Sequence, residues 1–388
     1  MNQNDVPSQR QVAVVMTGGG ARVAYQVGVM RALTELLPGH RACPFPIICG
    51  TSAGAVNAAV LAADSHNFRR GVRRLMTVWK NIHVDDVYRA DMRGALGNSA
   101  RWIWTLLTRG AFAEKPISLL DNSPLARLIA RDLDFGAIAR NIDGGYLTAF
   151  SVTCSGYTSG ESVTFYQGRP GLSDWTRARR IGVAMPITEE HLLASSALPF
   201  IFPPVRINHE FFGDGSMRQI APVSPALHLG ADKLLVIGVG RQLGTQARRI
   251  TTIRSPSIAQ IAGHALNSIF LDTLEVDLER LQRINRTLEF IPQDILDRAR
   301  YPLRRVEVRV ISPSVDLERL ALAYADELPR AIRLLLGTIG GLKRNASTLL
   351  SYLLFERGYC RALIRLGYSD TMARKDELTA FLGQPATV

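Results

Sequence analysis

Two short apolar segments, each ending in glycines and each followed by a helical pattern, constrain the fold of this chain more than any other feature. The first, residues 11–17 ("QVAVVMT"), ends in three glycines. The second, residues 45–49, ends in "GTSAG" and leads into an alanine-rich helical pattern over residues 55–63. Short β-rich runs that alternate with helices in this way form parallel sheets covered by helices. The pattern therefore predicts an α/β fold.

Later segments add further strands, and the last part of the chain is mainly helical. The strand candidates are residues 146–154, 162–166, 205–212, 233–239 and 306–311, and "INHEFF" at residues 207–212 is typical of a hairpin tip. A helical pattern over about residues 257–288 has leucines in near-heptad spacing, and because the run is short we expect it to pack against the sheet rather than to form a coiled coil. We expect a polar tail over residues 1–10, a main domain over 11–242, a helix and strand that complete or flank the sheet over 243–315, and a helical C-terminal extension over 316–388.

The composition limits the classes to which the protein can belong. With 388 residues, 47% of them hydrophobic, the chain can bury a large core. The polar first ten residues predict no signal peptide, and arginines interrupt every apolar run before it reaches the roughly 20 residues that span a membrane. The four cysteines lack C-x-x-C spacing, so we expect free thiols in a cytoplasmic protein rather than disulfides or a zinc site.

The net charge of +12 permits attraction to anionic lipid or nucleic acid, or is ordinary surface charge. Nucleic-acid binding is not expected, because no clusters of basic and aromatic residues and no known binding module are present. Residues 93–112 carry Trp102 and Trp104 among arginines, which is typical of an interfacial segment and equally of a partly buried lid helix. Residues 328–347 form an amphipathic pattern whose interior glycines favour core packing or a helix induced by a membrane. Peripheral binding to an anionic membrane is our hypothesis.

The segment "GTSAG" places Ser52 between Gly50 and Gly54, after a strand and before a helix. This is the context of a nucleophile elbow, a strained turn in which larger side chains two residues away would collide with the neighbouring strand and helix. The helix N-terminus favours developing negative charge, and the Ala53 N–H would be a natural donor to an oxyanion. A plain tight corner explains the same residues, so the motif alone leaves both interpretations open.

The three glycines upstream, Gly18, Gly19 and Gly20, favour the catalytic interpretation. A dinucleotide-binding fingerprint needs glycine at the sixth position, where this chain has Val23, and an acidic residue about 20 positions later, which is absent. Glycines can instead present their backbone N–H groups to an oxyanion, because no Cβ blocks the approach. A glycine-rich turn that only joins a strand to a helix is the alternative.

A serine nucleophile needs a base, and the sequence offers two kinds. In the chain order serine, aspartate, histidine, only His209, His228 or His264 could complete a triad, and none has a distinctive setting. Asp214 stands in "FFGDGS", a glycine-flanked turn after an apolar strand. Its carboxylate could act as the base directly if burial raised its pKa toward neutrality. An ordinary Asp-Gly turn is the alternative, and spacing alone does not decide between them.

Together these motifs resemble the patatin-like phospholipase family. The matching elements are "GGGAR", "GTSAG", and "DGS" where the family usually has Asp-Gly-Gly or Asp-Gly-Ala; "ASSALPFIFPPV" and "APVSPALHLGAD" are similar too. The resemblance covers about residues 11–242. It implies a three-layer α/β/α fold with a central, mostly parallel sheet, and a serine acyl hydrolase, a phospholipase A or lipid esterase, that uses no metal and no cofactor.

Carried over residue by residue, the resemblance makes Ser52 the nucleophile and Asp214 the general base of a dyad without histidine. The chain departs from the family pattern at Val23, often a glycine, and at Ser216, usually a small apolar residue; the second change should affect the dyad little because serine is nearly as small. The residues expected around the oxyanion are Gly18, Gly19, Gly20, Ala21, Arg22 (in the family's basic position) and Ala53, and those of the two turns are Gly50, Gly54, Gly215 and Ser216.

The implied reaction passes through an acyl-enzyme. The Ser52 proton goes to Asp214 and on to the leaving alcohol, and water then hydrolyses the ester on Ser52 with the same base. The expected substrate is a phospholipid or another acyl-ester lipid. An acyltransferase and a non-catalytic lipid-binding regulator are the alternatives. We expect a cytoplasmic protein, or one peripheral to the inner face of the membrane, and the oligomeric state does not follow from the sequence.

Overall fold

The computed structural model describes residues 11–89, 118–240, 255, 257–269, 273–298, 303–338 and 347–383, and it contains one mixed sheet flanked by helices. The strands are β1 (Val12–Met16), β2 (Ile47–Thr51), β3 (Ala149–Gly156), β4 (Ser162–Gly168), β5 (Trp175–Arg177), β6 (Arg180–Ala184), β7 (Val205–Ile207), β8 (Glu210–Asp214), β9 (Lys233–Ile237) and β10 (Glu307–Ile311).

The helices occupy both the main domain and the C-terminal part of the described chain. They are α1 (Ala24–Leu36), α2 (Ala53–Ala63), α3 (Phe68–Asn81), α4 (Val84–Val87), α5 (Ser123–Asp132), α6 (Phe135–Asp143), α7 (Glu189–Ser195), α8 (Ser224–His228), α9 (Ile258–Asn267), α10 (Thr273–Leu288), α11 (Gln293–Arg298), α12 (Leu317–Leu322), α13 (Arg330–Thr338), α14 (Ser347–Leu353), α15 (Arg357–Met372) and α16 (Lys375–Leu382).

The sheet runs in the order β10-β9-β1-β2-β3-β4-β6-β5, and its central part is parallel. The pairs from β10 through β3 are all parallel, whereas β4 and β8 both pair antiparallel with β3. The α/β fold predicted from the two strand–turn–helix units is therefore confirmed. Because β1 and β2 are parallel neighbours, the glycine-rich turn after β1 and the "GTSAG" turn after β2 meet at the same edge of the sheet.

Helices cover both faces of the sheet. Val14 and Met16 of β1 belong to the larger core, which includes residues of α1, α2, α3 and α15. Ala13 and Val15 belong to a second core with residues of α8 and α10. Since successive residues of a strand point to opposite faces, the two cores lie on opposite sides of β1. This confirms the three-layer α/β/α arrangement.

The leucines in near-heptad spacing pack against the sheet, as expected. Leu274, Leu278 and Leu281 of α10 are buried together with Leu234 of β9. The predicted helical span contains two helices, α9 and α10, and residues 270–272 lie outside the described part of the chain. The strand β10 joins the sheet beside β9, which agrees with a flanking role for this region.

The structure contains two strands that were not predicted, β5 and β6. They lie within the arginine-rich stretch "WTRARRIGVA" and end the sheet. Short strands joined by a tight turn give too few alternating positions to be recognised. The hairpin tip expected at residues 207–212 is present, because residues 205–214 form the hairpin β7–β8, whose tip at Asn208 has a φ of 53°.

The helical C-terminal extension is confirmed within the described residues, and it packs onto the main domain. The Tyr25 hydroxyl of α1 donates to Asp370 of α15 at 3.0 Å. Leu328, Ile332 and Leu336 are buried in the larger core. The apolar face of the amphipathic segment at residues 328–338 is therefore covered by protein rather than available to a membrane. Residues 339–347 of that segment are described only at Ser347, and the tryptophan-containing residues 93–112 lie outside the described part.

The four cysteines, all in the described part, are buried free thiols, as expected. Over the described residues, no helix combines the length and the apolarity that crossing a membrane requires. The boundaries at residues 242 and 316 stay predictions.

Candidate active site

Ser52 stands between β2 and α2 in a backbone conformation that residues with a side chain rarely adopt. Its φ is 55° and its ψ is −138°. A serine at the start of a helix usually caps the first N–H groups. The Ser52 hydroxyl makes no such bond and instead donates to Oδ2 of Asp214 at 2.5 Å. The strained turn thus directs the hydroxyl at a carboxylate rather than at its own helix.

The two glycines that flank Ser52 allow the turn to fit between its neighbours. A Cβ on Gly50 would overlap Ala55 of α2, and a Cβ on Gly54 would overlap the backbone carbonyls of Met16 and Thr17 at the end of β1. These are the collisions that a nucleophile elbow avoids. The close approach also brings the elbow against the glycine-rich turn that follows β1.

A second serine holds the backbone of the elbow in place. The Ser52 N–H donates to Oγ of Ser195 at 2.8 Å, and the Ser195 hydroxyl donates to the carbonyl of Thr153 in β3 at 2.6 Å. Ser195 ends α7 and is fully buried. The role of Ser195 was not predicted, because nothing in the local sequence "ASSALPF" indicates which backbone groups its hydroxyl reaches.

The sheet brings Asp214 next to Ser52. At the end of β2, Thr51 pairs with Thr153 of β3, and the next residue of β3, Cys154, pairs with Asp214 at the end of β8. The Asp214 N–H donates to the carbonyl of Ala197 at 2.9 Å. The aspartate is therefore fixed by a strand on one side and by the segment after α7 on the other.

The Asp214 carboxylate is fully buried. Besides the Ser52 hydroxyl, it accepts the backbone N–H of Ser216 at 2.9 Å. Burial raises its pKa from 3.8 to about 6, and the bonds from Ser52 and from the backbone and side chain of Ser216 act in the opposite direction. At neutral pH the group is thus mostly ionised, yet much more basic than an ordinary aspartate.

None of the seven histidines, all of which lie in the described part, hydrogen-bonds to Ser52 or Asp214. Of the three triad candidates, His209 is exposed at the β7–β8 tip, His264 is exposed on α9, and His228 stacks on Trp175. His191 is buried in α7, where it caps the helix together with Thr188, and burial lowers its pKa to about 4. Among the described residues, no group of three or more histidine, cysteine, aspartate and glutamate side chains could hold a metal ion.

The glycine-rich turn after β1 lies beside the serine. It continues into a short 3-10 helix, Gly20–Val23, that leads directly into α1. Gly20 has a φ of 56°, and a Cβ there would overlap the carbonyl of Tyr352, so only glycine fits. Gly20 and Ala53 line the same cavity as Ser52.

Arg22 contacts the C-terminal extension. Its backbone N–H donates to the carbonyl of Gly19 at 3.1 Å. The guanidinium is 2% exposed, donates to Oγ of Ser351 at 2.8 Å, pairs with Glu318 at 3.4 Å, and lies 4.2 Å from the centre of the Tyr352 ring. A buried guanidinium needs such partners. The side chain therefore ties the turn after β1 to α12 and α14.

A buried network of side-chain hydrogen bonds connects α1, α2 and α3 to the glycine-rich turn. Trp79 of α3 donates to Asn57 of α2 at 2.8 Å, Asn57 donates to Gln26 of α1 at 3.0 Å, and Gln26 donates to the carbonyl of Thr17 at 2.8 Å. Such satisfied networks stiffen a core. These three residues were not predicted, since isolated polar residues on apolar helix faces carry no local signal of their partners.

An almost wholly apolar cavity of about 60 Å³ begins at Ser52. Its walls come from α2, α3, α5, the segment after α7 and the C-terminal extension, and such a lining suits a hydrocarbon chain. The contribution of the extension was not predicted. The residues that line the cavity are Gly20, Ser52, Ala53, Val56, Val78, Trp79, Ile82, Val87, Leu125, Leu128, Ser196, Leu198, Phe202, Tyr352, Leu353 and Phe355.

A curated protein and a solved structure are similar to this chain. A curated relative, "Lysophospholipase nte1" from Aspergillus terreus (strain NIH 2624 / FGSC A1156), is 48% identical over 56 residues, which are 14% of this chain and 3% of that protein. This chain thus matches only a small part of that relative's length. A solved structure, VipD from Legionella pneumophila, aligns over 95% of this chain and 67% of its own at 13% identity, with a TM-score of 0.34.

The family model for patatin-like phospholipases matches residues 14–227, which is more than half of the chain. The match includes the glycine-rich turn, the elbow serine and the buried aspartate. This chain belongs to the patatin-like phospholipase family.

Proposed function

We propose that this protein is a serine acyl hydrolase, a phospholipase A or lipid esterase, that cleaves ester-linked fatty acyl chains by means of Ser52 and Asp214. The observation that carries the proposal is the 2.5 Å hydrogen bond from the Ser52 hydroxyl to the buried Asp214 carboxylate. Membership of the patatin-like phospholipase family and the similarity to a protein named lysophospholipase support a lipid ester as the substrate.

In the first half-reaction, Oγ of Ser52 attacks the ester carbonyl carbon while its proton passes to Asp214. A base with a pKa of about 6 is ionised at neutral pH and still basic enough to assist this step. When the tetrahedral intermediate collapses, the bond to the alcohol oxygen breaks and Asp214 gives the proton to that oxygen. The acyl group remains on Ser52 as an ester, and its chain lies in the apolar cavity.

In the second half-reaction, Asp214 takes a proton from water as the water oxygen attacks the acyl-enzyme. Collapse of this second intermediate returns the proton to Ser52 and releases the fatty acid. The same carboxylate thus serves both steps.

Backbone N–H groups of Gly18, Gly19, Gly20, Ala21 and Ala53 are the proposed donors to the oxyanion in both intermediates. The Arg22 N–H is already bonded to the Gly19 carbonyl. We therefore give Arg22 a different role from the one expected from the sequence: its side chain holds the C-terminal extension against the turn that presents these donors.

The decisive experiment combines labelling and turnover. Wild-type protein should react covalently with a fluorophosphonate probe and hydrolyse p-nitrophenyl esters, whereas Ser52→Ala should lose both and Asp214→Asn should lose turnover. The matched controls are His209→Ala and His264→Ala, which should keep wild-type kcat/KM. Full activity in Asp214→Asn together with loss in either histidine variant would replace the dyad by a triad.

Peripheral binding to anionic membrane is part of the proposal and rests on the net charge of +12. Vesicles containing phosphatidylglycerol should sediment more of the protein than vesicles of phosphatidylcholine alone, and the difference should shrink at high salt. Equal binding to both kinds of vesicle, or no binding, would remove this part of the proposal.

A further inference from the structure

Ser196 carries a buried hydroxyl without a hydrogen-bond partner in the wall of the cavity that Ser52 lines. The residue is 6% exposed, and its Oγ finds no partner among the described residues. Leaving a buried hydroxyl unpaired costs free energy, because the bonds it made to water are lost. Such a group in a native structure therefore calls for an explanation.

Ser195 and Ser196 are neighbours in the chain, but their hydroxyls differ in hydrogen bonding. The Ser195 hydroxyl is bonded on both sides, to the N–H of Ser52 and to the carbonyl of Thr153. The Ser196 N–H donates to the carbonyl of Leu192 at 3.1 Å, so its backbone is held by the end of α7 while its hydroxyl is not used. The fixed backbone keeps Ser196 in the cavity wall.

The cavity supplies little that a hydroxyl could bond to, because its lining is almost wholly apolar. A serine hydroxyl has one proton to donate. In a simple fatty acyl ester the acyl chain is hydrocarbon, and the two ester oxygens are its hydrogen-bond acceptors. The ester is also the part of the substrate that must lie beside Ser52, in the same cavity.

We propose that the Ser196 hydroxyl donates a hydrogen bond to an ester oxygen of the bound substrate and so positions the ester for attack by Ser52. This inference rests on the proposed hydrolase function and adds a substrate-binding residue to it. The unpaired hydroxyl is then a group whose partner arrives with the substrate, and the free energy lost in the empty site is recovered on binding.

The first test is Ser196→Ala, read by turnover and by thermal unfolding. One neutral hydrogen bond corresponds to a loss of about five- to tenfold in kcat/KM on p-nitrophenyl octanoate. The Tm should stay the same or rise, because the variant loses no bond and removes an unpaired polar group. A lower Tm, or unchanged kcat/KM, would overturn the proposal.

The matched control is Ser65→Ala, which should give the opposite pattern. Ser65 is fully buried, its hydroxyl donates to the carbonyl of Ala62 at 3.1 Å, and it does not line the cavity. Its variant should have a lower Tm and wild-type kcat/KM. Loss of activity there as great as in Ser196→Ala would mean that removing any buried hydroxyl slows the enzyme, which would also overturn the proposal.

A loss of activity in Ser196→Ala could come from a lost hydrogen bond to the ester or from a changed cavity shape. A series of p-nitrophenyl esters from butyrate to laurate distinguishes the two explanations. The ratio of wild-type to Ser196→Ala kcat/KM should be the same for every chain length, because the ester is common to all. A ratio that grows with chain length would assign Ser196 to the chain and refute the inference. If wild-type turnover does not depend on Ser52, the proposed function fails and the inference falls with it.

Discussion

Replacing Asp214 with asparagine is expected to stabilise the folded protein at neutral pH while abolishing turnover. The carboxylate is fully buried, and burial raises its pKa from 3.8 to about 6. At 1.36 kcal/mol for each pH unit, ionising this group in the folded state costs about 3 kcal/mol more than in the unfolded chain. Asparagine is neutral at every pH. Its amide can keep both contacts, since its oxygen accepts the Ser216 N–H and its NH₂ can donate to the Ser52 hydroxyl.

The sign follows from proton binding. Between pH 3.8 and about 6 the folded protein holds the Asp214 proton more tightly than the unfolded chain does. The contribution of this group to the free energy of unfolding is therefore fully present below pH 3.8 and is lost as the pH rises to about 6. The advantage of Asp214→Asn over wild type should thus be small near pH 4 and reach about 3 kcal/mol above pH 7.

Urea unfolding of both proteins at several pH values between 4 and 8 measures this difference directly. Any effect of the substitution that does not depend on pH cancels when the difference at pH 8 is compared with that at pH 4. Other titrating groups cancel as well, because both proteins share them. A difference in unfolding free energy that is flat across this range would refute the argument that Asp214 is a desolvated carboxylate.

Three further changes test the site from different directions. The kcat/KM for short acyl esters should rise through a single pKa of about 6, because in the proposed reaction only ionised Asp214 accepts the proton. A second limb would require another titrating group. Gly20→Ala should destabilise the protein by about 1–3 kcal/mol in urea unfolding, since alanine is strained at a positive φ and its Cβ would overlap the Tyr352 carbonyl. Ser195→Ala leaves the Ser52 N–H and the Thr153 carbonyl unpaired, so it should lower both kcat and the free energy of unfolding, the latter by about 1–3 kcal/mol for each group. A stable, fully active variant would mean that the turn at Ser52 keeps its conformation without Ser195.

The fold could be predicted because its signals are local, whereas Ser52 and Asp214 became the proposed pair only when the family resemblance was added to their motifs. Each of the first two strand–turn–helix units is identified by a short apolar run, a glycine-containing turn and a helical pattern. Because β1 and β2 are parallel neighbours, their turns lie at the same edge of the sheet. The glycine-flanked turn makes Asp214 a candidate without distinguishing it from an ordinary Asp-Gly turn, and in the structure the register with β3 brings it to Ser52. The strand–turn–helix units depend on residues close together in the chain, whereas the approach of Asp214 to Ser52 does not.

The remaining parts of the site depend on contacts between residues far apart in the chain. Ser195 reaches across 143 positions to the Ser52 N–H, and Arg22 across 329 positions to Ser351. Nothing in the local sequence distinguishes Ser195 from the other serines, or Arg22 from the other basic residues, of which there are 46 in all. The same holds for the cavity wall, because an apolar run at Leu353 looks like any other core segment until its position is known.

Because part of the cavity wall comes from the C-terminal extension, the order in which the chain is synthesised determines when activity can begin. Ser52 and Asp214 leave the ribosome long before Tyr352, Leu353 and Phe355, which close one side of the cavity. Until those residues are made, the glycine-rich turn and Arg22 lack the partners that hold them. Since domains form as the chain emerges, we expect a nascent chain to contain Ser52 and Asp214 and yet to hydrolyse nothing until residue 355 and the helix that follows have docked.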